Sequence, residues 1–340
     1  MRKIVVTGSN GLVGWHTRCR LSTFADCQVV ALDRQAFNDD AQLQSAISGA
    51  TAIIHLAAVN RGTEQETEFD NPAIAARLID ALEREKSKPH LVYSSTIHAH
   101  RDVPYGRGKK NAGEALESCA KRNGGLFTNF ILPHIFGEHG RPNHNSVVST
   151  FAWQLANEHK PSIAQDGQLN LMHAQQAAQL MIGAIESRQE GVFEPQGVSL
   201  RVSELLNRLQ RLSCRYQEGV LPNVDDPLDL RLFNTYRSYL PYPQRAIPLE
   251  LRSDNRGHLF ETIRSDHKGQ VFVSSTHPGI TRGNHFHTRK IERFVVVEGQ
   301  ATIRLRRLLT DEIVEYEVRG DQPVAIDIPT LHTHNITNTG

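Results

Sequence analysis

The sequence predicts two folds in tandem: an α/β domain with a doubly wound parallel sheet over residues 1–243, and an all-β jelly roll over 244–340. Three observations carry this. A β-branched run, Lys3 to Val6, enters a glycine-rich turn and then a helical pattern at the start of the chain. Short apolar strands then alternate with helical patterns. From Leu249 the pattern changes to short alternating strands separated by glycine and charged turns. A chain of 340 residues also exceeds what one core usually serves.

Composition excludes several classes. There are 38 Lys plus Arg against 37 Asp plus Glu, which argues against a basic nucleic-acid groove or a polybasic membrane anchor. Cys19, Cys27, Cys119 and Cys214 show no pairing pattern, as expected for reduced thiols in a cytosol. The N-terminus is too short in apolar run for a signal peptide, and no run reaches the length of a membrane span. The expectation is a cytoplasmic protein with no membrane and no nucleic-acid partner.

The elements follow in order. The turn Thr7-Gly8-Ser9-Asn10-Gly11-Leu12-Val13-Gly14 joins a strand to a helix N-terminus, where backbone N–H groups can face a pyrophosphate. The second strand, Gln28 to Leu32, ends in Asp33-Arg34. A carboxylate there would bond the adenosine ribose of NAD, whereas an arginine would cradle the 2′-phosphate of NADP. Ala52 to Leu56 reads as a third strand, and the small residues Ala57 and Ala58 after it would let a cofactor lie against the backbone. Leu91 to Ser95 is a fourth strand, followed by Thr96 and then by Tyr105-Gly-Arg-Gly-Lys109 on a helix reaching about Lys121. Tyr105 and Lys109 share a helical face, and a cation beside a phenol favours the phenolate, so Tyr105 is a candidate acid–base group.

Taken together these motifs resemble the extended short-chain dehydrogenase/reductase family. Its marks here are Thr7-Gly8-x-x-Gly11-x-x-Gly14, His55-Leu56-Ala57-Ala58, Asn71, Ser95/Thr96, Tyr105-x-x-x-Lys109 and Pro133-His134-Ile135-Phe136-Gly137. Gln165-Asp166-Gly167-Gln168 looks like the family's nucleotide-sugar side. The resemblance implies a Rossmann-type fold. It implies NADP(H), with NAD(H) as the alternative, held by Gly8, Asn10, Gly11, Leu12, Gly14, Asp33, Arg34, Leu56, Ala57, Ala58, Asn71 and Pro133. Tyr105, Lys109, Thr96 and Ser95 become the catalytic set. His134 stands where the family usually has Asn, and Gln175-Gln176 where it usually has an Asp pair. Helices are expected at Val147 to Asn157, Ala174 to Glu186 and Val202 to Leu212, in a region that forms the sugar lobe in this family. The proline-rich stretch Leu221 to Pro248 reads as a connector with a short helix near Leu230 to Tyr239.

In the second part, Gly279, His285, His287, Glu292 and Gly299 fill every fixed position of a motif resembling the first cupin motif. On one strand His285 and His287 would share a face. Two imidazoles and a carboxylate suit a divalent transition metal, here expected to be zinc. His334, in Pro329-Thr-Leu-His-Thr-His334, is the expected last ligand, with His332 as the alternative, and Leu331 replaces the usual Gly. Strands are expected at Leu249–Arg252, Phe260–Ile263, Gln270–Ser275, Phe294–Val297, Ala301–Leu305, Glu312–Val318 and Val324–Ile328. The chain stops two residues after Asn338, so a missing C-terminal tail is expected.

Asp254-x-Arg256-Gly257-His-Leu-Phe-Glu261 with Gly279-Ile-Thr-Arg282-Gly283-Asn-His285 also resembles the deoxysugar 3,5-epimerases, which gives His285 a competing role as base. His332, Lys290 and Tyr316 are further candidates for the base. Domain order and the connector Asn234-Thr-Tyr-x-Ser-Tyr-Leu-Pro241 resemble the bifunctional epimerase/reductases of capsular nucleotide-sugar synthesis. The resemblance implies a homodimer acting on a UDP-activated 4-keto-6-deoxy-hexosamine. The cupin would epimerise C3 and the reductase reduce C4 with NADPH. The product would be UDP-2-acetamido-2,6-dideoxy-L-talose, on the route to UDP-N-acetyl-L-fucosamine. The rivals are a reductase whose cupin only binds or dimerises, and a sensor without turnover.

Overall fold

The computed structural model describes residues 1–249, 252–254, 257–259, 263–266 and 276–340. The expected strand Gln270–Ser275 lies outside them, as do most of Phe260–Ile263, part of Leu249–Arg252, and Arg256, Phe260 and Glu261 of the epimerase-like motif. The chain divides into two compact units, one of residues 1–137 and 168–200, the other of 138–167 and 201–340. The sequence boundary near 243 falls inside the second.

The first unit opens with β1 (Arg2–Thr7), α1 (Leu12–Leu21) and β2 (Cys27–Leu32). Two short helices, α2 (Arg34–Asn38) and α3 (Asp40–Ile47), lead to β3 (Ala52–His55), then α4 (Glu64–Glu85) and β4 (His90–Thr96). After α5 (Pro104–Asn123) come β5 (Phe127–Leu132) and β6 (His134–Phe136). The chain leaves this unit for α6 (Val147–Ala156) and returns in β7 (Gln168–His173), α7 (Ala174–Glu186), β8 (Gly191–Phe193) and β9 (Val198–Arg201).

Six strands form one parallel sheet in the order β2-β1-β3-β4-β5-β8. Alternate residues of β1 serve opposite faces. Val5 packs with Ile53, Leu78 and Leu116, while Ile4 and Val6 pack with Ile54, Phe130, Met181 and Ile182. A sheet buried on both faces needs such near-continuous apolar strands, which is why β1 and β3 read as unbroken runs. The helix α4 was not singled out from sequence; the structure starts it at a capping box, with Glu66 N donating to Thr63 Oγ1 at 3.2 Å and Thr63 N to Glu66 Oε2 at 2.7 Å.

The second unit adds α8 (Val202–Gln217), β10 (Val220–Leu221) and α9 (Pro227–Ser238), each helix longer than the sequence pattern suggested. Its remaining strands are β11 (Ala246–Pro248), β12 (Arg252–Asp254), β13 (Gly257–Leu259), β14 (Arg264–Ser265), β15 (Thr281–His285), β16 (Glu292–Val295), β17 (Gln300–Arg307), β18 (Ile313–Arg319), β19 (Val324–Ile328) and β20 (His332–Asn338). An antiparallel sheet of order β15-β20-β17-β18 and another of order β11-β19-β16 enclose a core of Val296, Ile303, Leu305, Val318, Ile326 and Ile328. Directly opposite each other in β16 and β19, Arg293 and Asp327 form a buried ion pair at 2.6 Å, and Arg237 of α9 approaches the same carboxylate at 3.8 Å. No helix among the described residues is long and apolar enough to cross a membrane.

Candidate functional sites

The first site sits at the carboxyl ends of the parallel strands, where doubly wound sheets bind their ligands. Gly8 has φ +62, and a Cβ there would lie 2.7 Å from Ala57 N. A Cβ on Gly14 would lie 2.3 Å from Gly8 O. Only glycine permits this turn, and its closeness leaves a backbone cradle of the kind a pyrophosphate fills. Thr7 Oγ1 ties β1 to β3 by accepting from Leu56 N at 3.1 Å and Ala57 N at 3.2 Å. Asn71, on α4, turns its amide to the segment after β3, bonding Val59 N and Val59 O at 3.0 and 2.9 Å. It shapes that wall of the site.

Asp33 caps α2 by accepting from Ala36 N at 2.9 Å, while Arg34 is exposed beside it. A residue the sequence reading did not single out, Arg18, donates to Ser9 O at 3.3 Å and Asn10 Oδ1 at 3.2 Å. Burial lowers its pKa, opposed by the Cys19 and Asp33 charges. Its position nearly two turns into the helix after the glycine turn is the signal that would have found it.

Ser95 is buried near the end of β4, and Thr96 Oγ1 accepts from His98 N at 3.3 Å. The helix α5 brings Tyr105 and Lys109 to this strand end by close backbone approach. A Cβ on Gly108 would meet Thr67 O of α4 at 2.5 Å. Lys109 is 3% exposed, with its Nζ 4.3 Å above the Tyr93 ring, whose hydroxyl donates to Lys109 O at 3.0 Å. Burial pulls Lys109 down to about 7 and pushes Tyr105 up to about 12. Burial alone sets the direction for Tyr105, without the lowering by Lys109 expected from sequence, and it favours the protonated phenol.

Pro133 is buried after β5, and His134 opens β6 with Nε2 shut off from solvent. The Gln pair has structural uses. Gln175 Nε2 contacts His16 Nδ1 at 3.0 Å, and Gln176 Oε1 accepts from His173 N at 3.2 Å to close the capping box of α7. In the second unit Asp166 caps α8, accepting from Ser203 N and Oγ at 2.9 Å each.

The second site gathers His285, His287, Glu292 and His334, whose donor atoms lie within 4.8 Å of one another. His285 and His287 do not share a strand face as expected. The strand β15 ends at His285 behind an irregularity at Asn284, φ 58, and His287 lies two residues past the strand end. Pairing of β15 with β20 sets His285 opposite His334. Glu292 Oε2 lies 3.0 Å from both His287 Nε2 and His334 Nε2, yet none of these three buried atoms has a hydrogen-bond partner. Donor atoms that converge without hydrogen-bond geometry fit a shared divalent ion. Burial opposes ionisation of Glu292, but Lys290 and the charges on His287 and His334 hold its carboxyl below the usual value.

The alternative ligand, His332, is fully buried elsewhere: its Nδ1 contacts Thr330 O at 3.0 Å and its Nε2 the Tyr242 hydroxyl at 3.4 Å. Burial holds it near 3. Tyr316 donates to Tyr242 O at 2.8 Å.

The NAD dependent epimerase/dehydratase family model matches residues 4–194, and that of the polysaccharide biosynthesis C-terminal domain matches 252–340. A UDP-2-acetamido-2,6-beta-L-arabino-hexul-4-ose reductase of Pseudomonas aeruginosa is 30% identical, over 99% of this chain and 92% of its own. The crystal structure of the capsular polysaccharide assembling protein CapF from Staphylococcus aureus is 34% identical, with a TM-score of 0.69 covering 99% of this chain and 93% of that one. A UDP-N-acetylglucosamine 4-epimerase from Bacillus cereus, 20% identical with a TM-score of 0.53 over 61% of this chain and 80% of its own, shares the fold. With one model covering more than half of the chain and a relative similar from end to end, the glycine turn and the Tyr105/Lys109 helix have their context: the chain belongs to the NAD-dependent epimerase/dehydratase family of enzymes.

Proposed function

We propose that the chain reduces C4 of a UDP-linked 4-keto-2-acetamido-2,6-dideoxy-hexose with NADPH, after its C-terminal cupin has inverted C3. The product would be UDP-2-acetamido-2,6-dideoxy-L-talose, on the route to UDP-N-acetyl-L-fucosamine. The observation that carries the reduction is the phenol of Tyr105, kept protonated by burial one helical turn from a buried lysine. The nicotinamide, when bound, supplies the hydride. Tyr105 gives its proton to the C4 oxygen, Thr96 and Ser95 bond the carbonyl, and Lys109 holds the nicotinamide ribose. Acid–base help of this kind is worth roughly 10²–10⁴-fold. Gly8, Gly11 and Gly14 cradle the pyrophosphate. With one Asp33 oxygen engaged in a cap, exposed Arg34 favours the 2′-phosphate of NADPH.

His285, His287, Glu292 and His334 would hold one divalent metal, with zinc fitting the three-nitrogen, one-oxygen donor set. A metal there would act as a Lewis acid towards the C4 carbonyl oxygen. Four protein donors also fill a tetrahedral shell, which favours a second reading in which the metal only braces the barrel.

Two variants test the division of labour. Tyr105→Phe should stop NADPH oxidation while C3 still exchanges with solvent deuterium. His285→Ala should stop the exchange while NADPH still binds. Full exchange in His285→Ala would make the cupin a binding module. Purified protein should contain about one equivalent of metal, lost in His334→Ala; protein without stoichiometric metal would remove the metal from the proposal.

A further inference from the structure

The turn after β4, residues Ile97–His100, packs directly on the start of α5. A Cβ on Gly106 would lie 2.1 Å from His98 O and 2.7 Å from Arg101 O, so only glycine lets the two backbones meet. This close approach sets the His98 ring beside Tyr105, with centroids 6.1 Å apart and planes tilted by 60°. A bridging water or sugar hydroxyl would carry a proton between a ring nitrogen and the phenol oxygen. The two neighbours differ in access. Lys109 is buried and Tyr105 half-buried, whereas His98 is exposed. His134, from β6, is the third group of the cluster and feels the charge of His98.

We propose that His98 is the proton-return group of the reduction centre, carrying a proton from solvent to the Tyr105 phenolate left after each turnover. The inference rests on the reading that Tyr105 protonates the C4 oxygen. In that step the Tyr105 O–H bond breaks and an O–H bond forms on the sugar, leaving a phenolate. The His98 imidazolium then gives its N–H proton to the phenolate and becomes neutral imidazole. Hydronium or a buffer acid restores the imidazolium, so no other reactant is consumed. Lys109 cannot fill this role alone, because a buried ammonium must itself be refilled.

The groups facing His98 are Tyr105 from α5, His134 from β6 and Arg101 on its own turn, while Thr96 holds its backbone N–H. Burial first, and Arg101 second, keep its pKa below the usual value. The imidazolium fraction therefore grows as pH falls, and the contribution of His98 should grow with it.

The test follows NADPH oxidation by wild type, His98→Ala, His98→Gln and Tyr105→Phe between pH 6 and 9, with and without added imidazole. Both His98 variants should lose roughly tenfold or more in kcat near pH 6, with the gap narrowing towards pH 9. The KM for NADPH should not change, and imidazole should restore kcat. Wild-type kcat at every pH in either His98 variant overturns the relay. So does a loss that is independent of pH and not rescued, which would mark a structural role. Turnover by Tyr105→Phe at the wild-type rate would instead remove the reading beneath it, whatever His98 does.

Discussion

The two units bury positive charge in opposite ways. In the first, Lys109 is 3% exposed with its ammonium above the face of Tyr93, and burial pulls its pKa down to about 7. In the second, Arg237 and the side chain of Arg293 are 3% and 2% exposed but converge on Asp327, itself 1% exposed. Burial pulls both arginines to about 10, so they stay charged. Burial alone would push the Asp327 carboxyl up, and the two-point contact from Arg293 opposes it. The desolvation penalty is the same in kind. One site offsets it with a partner and the other leaves it standing, as expected where a group is kept for its chemistry rather than for stability.

The sharpest way to break that contrast is Asp327→Asn. It leaves two guanidinium groups buried without a counter-charge, which typically costs about 3–5 kcal/mol. Chemical denaturation should show a loss of that order. A loss below about 1 kcal/mol would mean the pair contributes little, and the contrast between the units would fail.

A comparable effect of opposite sign is expected at Lys109. Its pKa is about 7 in the folded chain against 10.5 when exposed, so between those values the unfolded chain binds more protons. Stability then rises with pH across that window, and below about pH 7 the full burial penalty remains. Lys109→Met removes the penalty. The variant should be more stable than wild type by on the order of a few kcal/mol at pH 7, with the gap closing towards pH 10. It should also lose reduction. A gap that does not change with pH would show that the ammonium is compensated after all, and the two units would be alike.

What the sequence revealed follows the same physical divide. The glycine turn, Tyr105 with Lys109, and the His285/His287/Glu292 spacing are local patterns, legible because backbone chemistry ties them to neighbours in the chain. The helix and strand alternation of the first unit was legible because both faces of its sheet are apolar. Pairings across the fold were not. Arg237 and Arg293 are not singled out by any sequence pattern, since nothing near them in sequence announces Asp327. The meeting of His98 with Tyr105 depends on a backbone contact at Gly106, and the irregularity at Asn284 replaced the simple alternation expected for the two histidines. Nor did spacing reveal that burial, and not the lysine, sets the direction of the Tyr105 shift.

A third cation completes the comparison and carries the smallest expected effect. Arg34 is exposed at the start of α2, with no burial penalty to offset and little to give to folding. Arg34→Ala should therefore leave Tm within error of wild type, unlike the changes at Asp327 and Lys109. Its effect should appear only towards the cofactor. Losing one guanidinium contact to a 2′-phosphate should raise the KM for NADPH roughly tenfold, the scale of a single charge-assisted hydrogen bond. The KM for NADH should hold or fall slightly, because Asp33 remains to bond a ribose hydroxyl. High salt should shrink the wild-type preference towards that of the variant, since an exposed contact is screened. Equal or better kcat/KM with NADH in the wild-type enzyme would assign the β2 end to Asp33 and leave Arg34 a solvated surface residue.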